Sequence, residues 1–227
     1  MLIGRNIVKS YGSLNVLKGI NILINKGEIV SIVGASGAGK STLLHILGSL
    51  DTADHGNVWI ENKDISQMKN TQLARFRNSN IGFIFQFHNL LPEFTAFENI
   101  CIPGYIGNRQ KKKVEKRAMA LMHMLGIHRQ ANNKPSEMSG GEQQRTAVAR
   151  ALINKPKIVF ADEPSGNLDS KNANDLHQLF FRLRDELYQT FVIVTHNQQL
   201  AKMADRTLEM KDGIMLENGK ETTSPVL

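Results

Sequence analysis

The sequence predicts an α/β protein with a mainly parallel core sheet, an N-terminal antiparallel β part and an inserted α-helical subdomain. Three observations carry this. The runs "EIVSIV", "KIVFAD" and "FVIVTH" are short, nearly continuous and rich in β-branched residues, as strands buried on both faces are. Amphipathic helical segments separate such runs, the pattern of a parallel sheet. Residues 2–11 and 16–27 instead alternate apolar and polar positions and end in turn residues. A chain of 227 residues is long enough for one domain, 1–227, with 1–86 and 154–227 as the core lobe and about 87–153 as the helical insertion.

Each element has its own justification. "LIGRNIVKSY" and "VLKGINILINKG" alternate and end in turn-forming Gly or Asn, and "GNVWIENK" is a further strand entered through Gly56. "IGFIFQ" is the next strand. From Lys111 the apolar residues Val114, Ala118, Leu121, Met122 and Leu125 recur at helical spacing, with Gly126 as the stop. Pro135 interrupts the chain. A second helix starts at Ser139 and carries Ala147, Val148, Ala151 and Leu152 on one face. Leu176, Leu179, Phe180, Leu183 and Leu187 form another stripe, and "TLEMKDGIML" is a hairpin around Asp212-Gly213.

Composition narrows the function. The single cysteine, Cys101, excludes an internal disulfide. No run approaches the ~18 apolar residues of a spanning helix, and the polar-interrupted N-terminus lacks a signal-peptide core. A cytosolic protein is expected. The net charge of +7 favours polyanions. The densest basic run, Arg109 to Arg117, reads as a solvated helix face, with anionic lipid head groups as the sharper alternative. No basic stripe interleaved with aromatics points to nucleic acid.

The chemistry lies in three motifs. "GASGAGKST" (Gly34, Ala35, Ser36, Gly37, Ala38, Gly39, Lys40, Ser41, Thr42) follows a buried strand and opens a helix, and it fits the phosphate-binding loop G-x-x-x-x-G-K-[ST]. Glycines let backbone amides converge on phosphate oxygens, and the helix start adds its dipole. Lys40 reaches the β- and γ-phosphates, and the Ser41 hydroxyl suits Mg²⁺. In "IVFADEP" a strand ends in Asp162, a carboxylate for the metal, and Glu163 follows it, placed to polarise an attacking water. "SGGEQQR" places Ser139 three residues before Glu142, a capping box. Gly140 and Gly141 leave its first amides unshielded, which makes a second anion site beside a single P-loop lysine. One interpretation is that this second start meets the nucleotide of another chain.

"GASGAGKST", Gln86, "SGGEQQR", "IVFADEP", "GNLD" and "VTH", in that order and spacing, resemble the nucleotide-binding subunits of ABC transporters over nearly the whole chain. The resemblance implies the P-loop ABC ATPase fold, ATP and Mg²⁺ as ligands, and a head-to-tail homodimer enclosing two ATPs. It implies that Tyr11 stacks on adenine, that Gln86 senses Mg²⁺ and water, and that Ser139 to Gly141 contact the partner copy's γ-phosphate. It also implies that Asp169 lies in a loop communicating across the dimer and that His196 touches the γ-phosphate. Met138 and Ser165 stand where Leu and Thr are common in the family.

The stretch "FIFQFHNLLPEFTAFENI" holds five phenylalanines. Phe83 and Phe85 are expected to pack on the core. Phe87, His88, Leu90, Leu91, Phe94 and Phe97 are expected to receive integral membrane permease subunits, as the segment after Gln86 does in the family. This wording, with "GSLD" and "SGNLDSKNA", resembles the lipoprotein-releasing branch, which implies work at the cytoplasmic face of an inner membrane. Macrolide or peptide exporters of the same family, and cell-division modules whose ATP cycle controls a cell-wall hydrolase, fit the same ATP motifs.

Overall fold

The computed structural model describes residues 1–217 and 219–222. The chain forms two compact units, residues 1–73 with 184–227, and residues 74–183.

The first unit opens with β1 (Leu2–Tyr11), which pairs antiparallel with β2 (Leu14–Ile24). Next come β3 (Ile29–Val33), α1 (Lys40–Leu47), β4 (His55–Ile60) and β5 (Lys63–Asp64). An antiparallel sheet of order β2-β1-β4-β5 results. Its alternation pays off in the core: Ile7, Leu17, Ile20 and Ile24 are fully enclosed. A helix the periodicity does not announce, α2 (Asn70–Asn80), follows; from Ala74 on it belongs to the second unit, and Phe76 is its one buried side chain.

In the second unit β6 (Ile81–Phe85) is followed by α3 (Ala96–Ile106), α4 (Lys111–Met124), α5 (Gly140–Leu152), β7 (Ile158–Asp162) and α6 (Ser170–Leu187), which belongs to this unit as far as Leu183. β6 and β7 run parallel, with Phe83 opposite Phe160 and Phe85 opposite Asp162. The expected stripes on α4 and α5 are buried, and Gly126 follows the last turn of α4 at φ 70°. On α6 the stripe holds through Leu183, but Leu187 is exposed because the helix ends there. Residues 87–95 contain no helix; the helical run begins at Ala96, capped by a Thr95–Glu98 box. Phe83 and Phe85 correct the expectation of core packing. Ile84 is the fully buried residue of the strand, while the two phenylalanines share its other face, half covered. There Phe83 stacks on Phe85 and on Phe160, each at 5.7 Å.

The chain then returns to the first unit with β8 (Thr190–Val194), α7 (Gln198–Met203), β9 (Arg206–Lys211), β10 (Ile214–Glu217) and β11 (Lys220–Glu221). β3 pairs in parallel with β8 on one side and β9 on the other. Ile29, Val30 and Ile32 are completely buried, which places apolar side chains of β3 on both of its faces out of solvent. The β9–β10 turn is Asp212-Gly213, both at positive φ (50° and 83°), the twist that suits a two-residue hairpin. No helix among the described residues is long and apolar enough to cross a membrane.

Candidate functional site

In the first unit the buried strand β3 delivers the glycine-rich loop to α1. Gly34 has φ 152°, and a Cβ there would lie 2.1 Å from the Met210 carbonyl oxygen, so no other residue fits without moving β9. We expect Gly34→Ala to displace the loop and lower ATP affinity by tenfold or more, about 1.4 kcal/mol; unchanged affinity in a calorimetric titration would refute the fit. Gly39 caps α1 in the left-handed region with no side-chain cap, and the first turn has no acid, so its amides keep their capacity for an anion. Lys40 is buried at 6 % exposure, and its ammonium donates to the carbonyls of Gly34 (3.0 Å) and Ala35 (2.8 Å). The lysine is thus held over the loop whose amides would receive phosphate. Ser36 and Gly37 form the exposed tip, Ala38 is buried, and Ser41 and Thr42 occupy the first turn of α1.

His196 stands exposed just past the carboxyl end of β8, beyond the buried Thr195, whose amide donates to Ile32 (3.1 Å). An open pocket of about 530 Å³ is lined by Gly34, Thr195, His196 and Lys202 among others. It lies at the carboxyl ends of parallel strands, where α/β sheets bind ligands. Tyr11, the last residue of β1, is 50 % exposed, and its hydroxyl donates to Asp51 at 2.6 Å.

In the second unit β7 ends at Asp162, and Glu163 adopts φ 45°. A non-glycine residue in the left-handed region is costly and marks constrained backbone. The amide of Gly166 donates to the Glu163 carbonyl (3.0 Å) and closes the turn. Gln86 lies one residue beyond β6. Its side-chain amide donates to Asn167 Oδ1, and the Asn167 amide donates to the Gln86 carbonyl, both at 3.2 Å. Asp169 caps α6: its carboxylate accepts from the Asn172 amide (2.9 Å) and side chain (2.6 Å). Those two bonds hold its pKa below the ordinary carboxylate value.

The α5 start is as its sequence pattern predicts. Ser139 Oγ accepts from the Glu142 amide, and Glu142 accepts from the Ser139 amide and hydroxyl, both at 2.8 Å. Gly140 is exposed. Gly141 is buried against Asn172, whose Oδ1 would be 2.8 Å from a Cβ there. So Gln86–Asn167 and Asp169–Asn172–Gly141 tie the three motif loops of this unit together. Asn167 was not singled out by residue pattern, because its partner Gln86 lies 81 positions away in sequence.

The segment after Gln86 is braced from beneath. Asn99 is fully buried, donates to the carbonyls of Leu91, Phe94 and Thr95, and accepts from the Leu91 amide. Arg150 of α5 donates to the carbonyls of His88 (2.6 Å) and Asn89 (2.5 Å), two residues at positive φ. Above this brace Phe87, Leu91 and Phe94 are exposed at 73, 43 and 41 %. Leu90, Phe97 and His88 are half-buried, and burial with the nearby Arg150 charge lowers the His88 pKa.

His177 of α6 is buried, with Nε2 3.1 Å from the Ser165 hydroxyl, and burial lowers its pKa from 6.5. A group whose native pKa is depressed binds its proton more readily unfolded, so its contribution is present above 6.5 and is lost as pH falls below that value toward the lower native one. We expect the urea midpoint to drop between pH 7.5 and 5.5, and to drop less in His177→Gln. An equal drop in both proteins would rule His177 out as a source.

The phosphate-binding loop and the strand-end acids define a nucleotide-hydrolysing P-loop protein. A family model described as "ABC transporter" matches residues 17–166. The chain is 60 % identical over 211 residues to the lipoprotein-releasing system ATP-binding protein LolD of Cytophaga hutchinsonii, covering 93 % of this chain and 96 % of that one. It is 61 % identical over 207 residues to LolD of Bacteroides thetaiotaomicron, covering 91 % and 95 %. Among solved structures, the ATP-binding cassette MJ0796, dimeric and bound to ADP and Pi, superposes with a TM-score of 0.87 at 39 % identity, covering 96 % of this chain and 98 % of that chain. The chain belongs to the ABC transporter family and has its ATPase fold.

Proposed function

We propose that this protein is the ATP-hydrolysing subunit of an inner-membrane complex that releases lipoproteins toward the outer membrane. The observation that carries this is 58–61 % identity, over more than nine-tenths of the chain, to proteins named for that system. In this reading two copies form a head-to-tail homodimer at the cytoplasmic face of the membrane, held there by permease subunits. Residues 87–153 serve as the helical subdomain facing them.

Tyr11 stacks on adenine. The amides of residues 34–42 and the Lys40 ammonium hold the phosphates, His196 touches the γ-phosphate, and Ser139, Gly140 and Gly141 of the second copy contact it from the other side. Gln86 orients the water. Glu163 takes its proton as the oxygen attacks phosphorus, and ADP leaves on its β-phosphate oxygen. Asp169 serves the contact between copies. The exposed Ser41 hydroxyl, the half-buried Asp162 carboxylate and the Gln86 amide oxygen are hard oxygen donors that fit Mg²⁺. Donors of this kind suit an ion that takes its other ligands from phosphate and water. When bound, Mg²⁺ offsets the phosphate charge.

The test is purification from detergent-solubilised membranes. A permease with a large periplasmic domain should co-elute, and added acylated lipoprotein should stimulate ATP hydrolysis several-fold where its non-acylated form does not. Equal response to both forms would sink the lipoprotein reading.

Phe87, His88, Leu90, Leu91, Phe94 and Phe97 form the proposed docking surface. An aromatic anchor at such an interface is worth about 2 kcal/mol or more, and a carboxylate in its place adds desolvation. Phe94→Asp should therefore leave melting temperature and ATP binding unchanged and abolish permease co-purification. Normal co-purification would remove Phe94 from the interface.

A further inference from the structure

The end of β1 carries a network that the ATPase motifs do not account for. Lys9 is 8 % exposed, and its ammonium donates to Asp51 Oδ1 (3.2 Å) and the Thr52 carbonyl (2.7 Å), with Asp54 at 3.7 Å. The same ammonium lies over the Tyr11 ring, 5.1 Å from its centroid. The Tyr11 hydroxyl donates to the other Asp51 oxygen at 2.6 Å, the short length of a bond to an ionised acceptor. The Ser10 amide donates to Asp54 at 2.7 Å, which pins the strand end itself. An aromatic ring that is half exposed is thus fixed at its tip by a carboxylate and on one face by a cation.

The charges agree with this geometry. Burial works against ionisation of Asp51, yet the Tyr11 hydroxyl, the Thr52 amide and Lys9 outweigh it and hold the carboxyl below its ordinary value. The hydrogen bond to Asp51, then burial, raises the Tyr11 phenol. The phenol therefore stays protonated and keeps donating to Asp51.

We propose that Asp51 is a positioning residue for the nucleotide, holding the Tyr11 ring as a fixed platform on which a purine base stacks. This rests on the assignment of Tyr11 to the base. The hydroxyl is engaged by Asp51, so the ring contributes a π-face and no hydrogen bond to the base edge. Stacking of this kind is tolerant of base identity. The platform accordingly serves purine nucleoside triphosphates alike and leaves discrimination between adenine and guanine to other contacts.

The experiment titrates ATP, GTP and tripolyphosphate into the wild-type protein and into Tyr11→Phe, Asp51→Asn, Tyr11→Ala and the Tyr11→Ala/Asp51→Asn double variant, with melting temperatures recorded. Tyr11→Phe leaves every Lys9 contact in place and so guards against misfolding. Tyr11→Ala should weaken ATP by about 10- to 100-fold, the usual cost of a stacked ring. Tyr11→Phe and Asp51→Asn should each weaken ATP and GTP by a similar, smaller factor, about fivefold. In ATPase assays that loss should fall on KM. Tripolyphosphate binding should not change, and Asp51→Asn should add nothing in the Tyr11→Ala background.

An Asp51→Asn effect that persists in full without the Tyr11 ring, or that weakens tripolyphosphate equally, overturns the positioning role. So does unchanged ATP affinity in both Asp51→Asn and Tyr11→Phe while Tyr11→Ala weakens it. Unchanged ATP affinity in Tyr11→Ala removes the base assignment of Tyr11 itself, and the positioning role with it.

Discussion

Glu163→Gln is expected to reduce ATP turnover by about 10²- to 10⁴-fold, the range a general base contributes, while ATP binding stays within twofold. The amide is nearly isosteric and occupies the same left-handed position at the end of β7, where Glu163 has φ 45°. It can still hydrogen-bond a water, but it cannot accept the proton as the water attacks. ATP therefore persists, and the variant should accumulate as a nucleotide-bound dimer. Single-turnover hydrolysis and sedimentation with ATP check both parts. Hydrolysis near the wild-type rate would show that another group is the base.

Lys40→Ala is expected to weaken ATP by about 10- to 100-fold, the 1.5–3 kcal/mol of hydrogen bonds to a charged group. The Lys40 ammonium bridges the Gly34 and Ala35 carbonyls, so its removal also loosens the loop it spans. Unfolding free energy should consequently fall modestly. Calorimetric titration with ATP measures the first effect and a urea melt the second. Unchanged affinity would contradict the phosphate role.

The sequence made the core strands and the P-loop legible because each has a strict requirement. A strand covered on both faces is apolar along nearly its whole length, and a loop cradling phosphate must carry glycine and lysine at set spacing. The Ser139–Glu142 cap was legible for the same reason, since its two partners are three residues apart. α2 was not, because Phe76 is its only buried side chain and one apolar contact makes no period. For Phe83 and Phe85, alternation identified a shared face but could not say how fully that face is covered. Asn99 and Arg150 bond to backbone carbonyls, which leave no trace in the residue types of their partners. Asn167 meets Gln86 across 81 positions, and Asp51 meets Tyr11 across 40. The left-handed backbone of Glu163 likewise has no signature, because glycine is not used there.

The brace under residues 88–95 has a thermodynamic consequence. Fixing one residue's backbone takes about 1–2 kcal/mol of entropy, so a free loop of this length would consume most of the gain from any encounter before a contact formed. Here Asn99 and Arg150 hold the loop within the folded chain, and its entropy is already lost in the folding of the protein. A partner docking on Phe87, Leu91 and Phe94, as proposed above, would meet a segment that is already ordered. A complex formed there keeps more of the free energy of its apolar contacts.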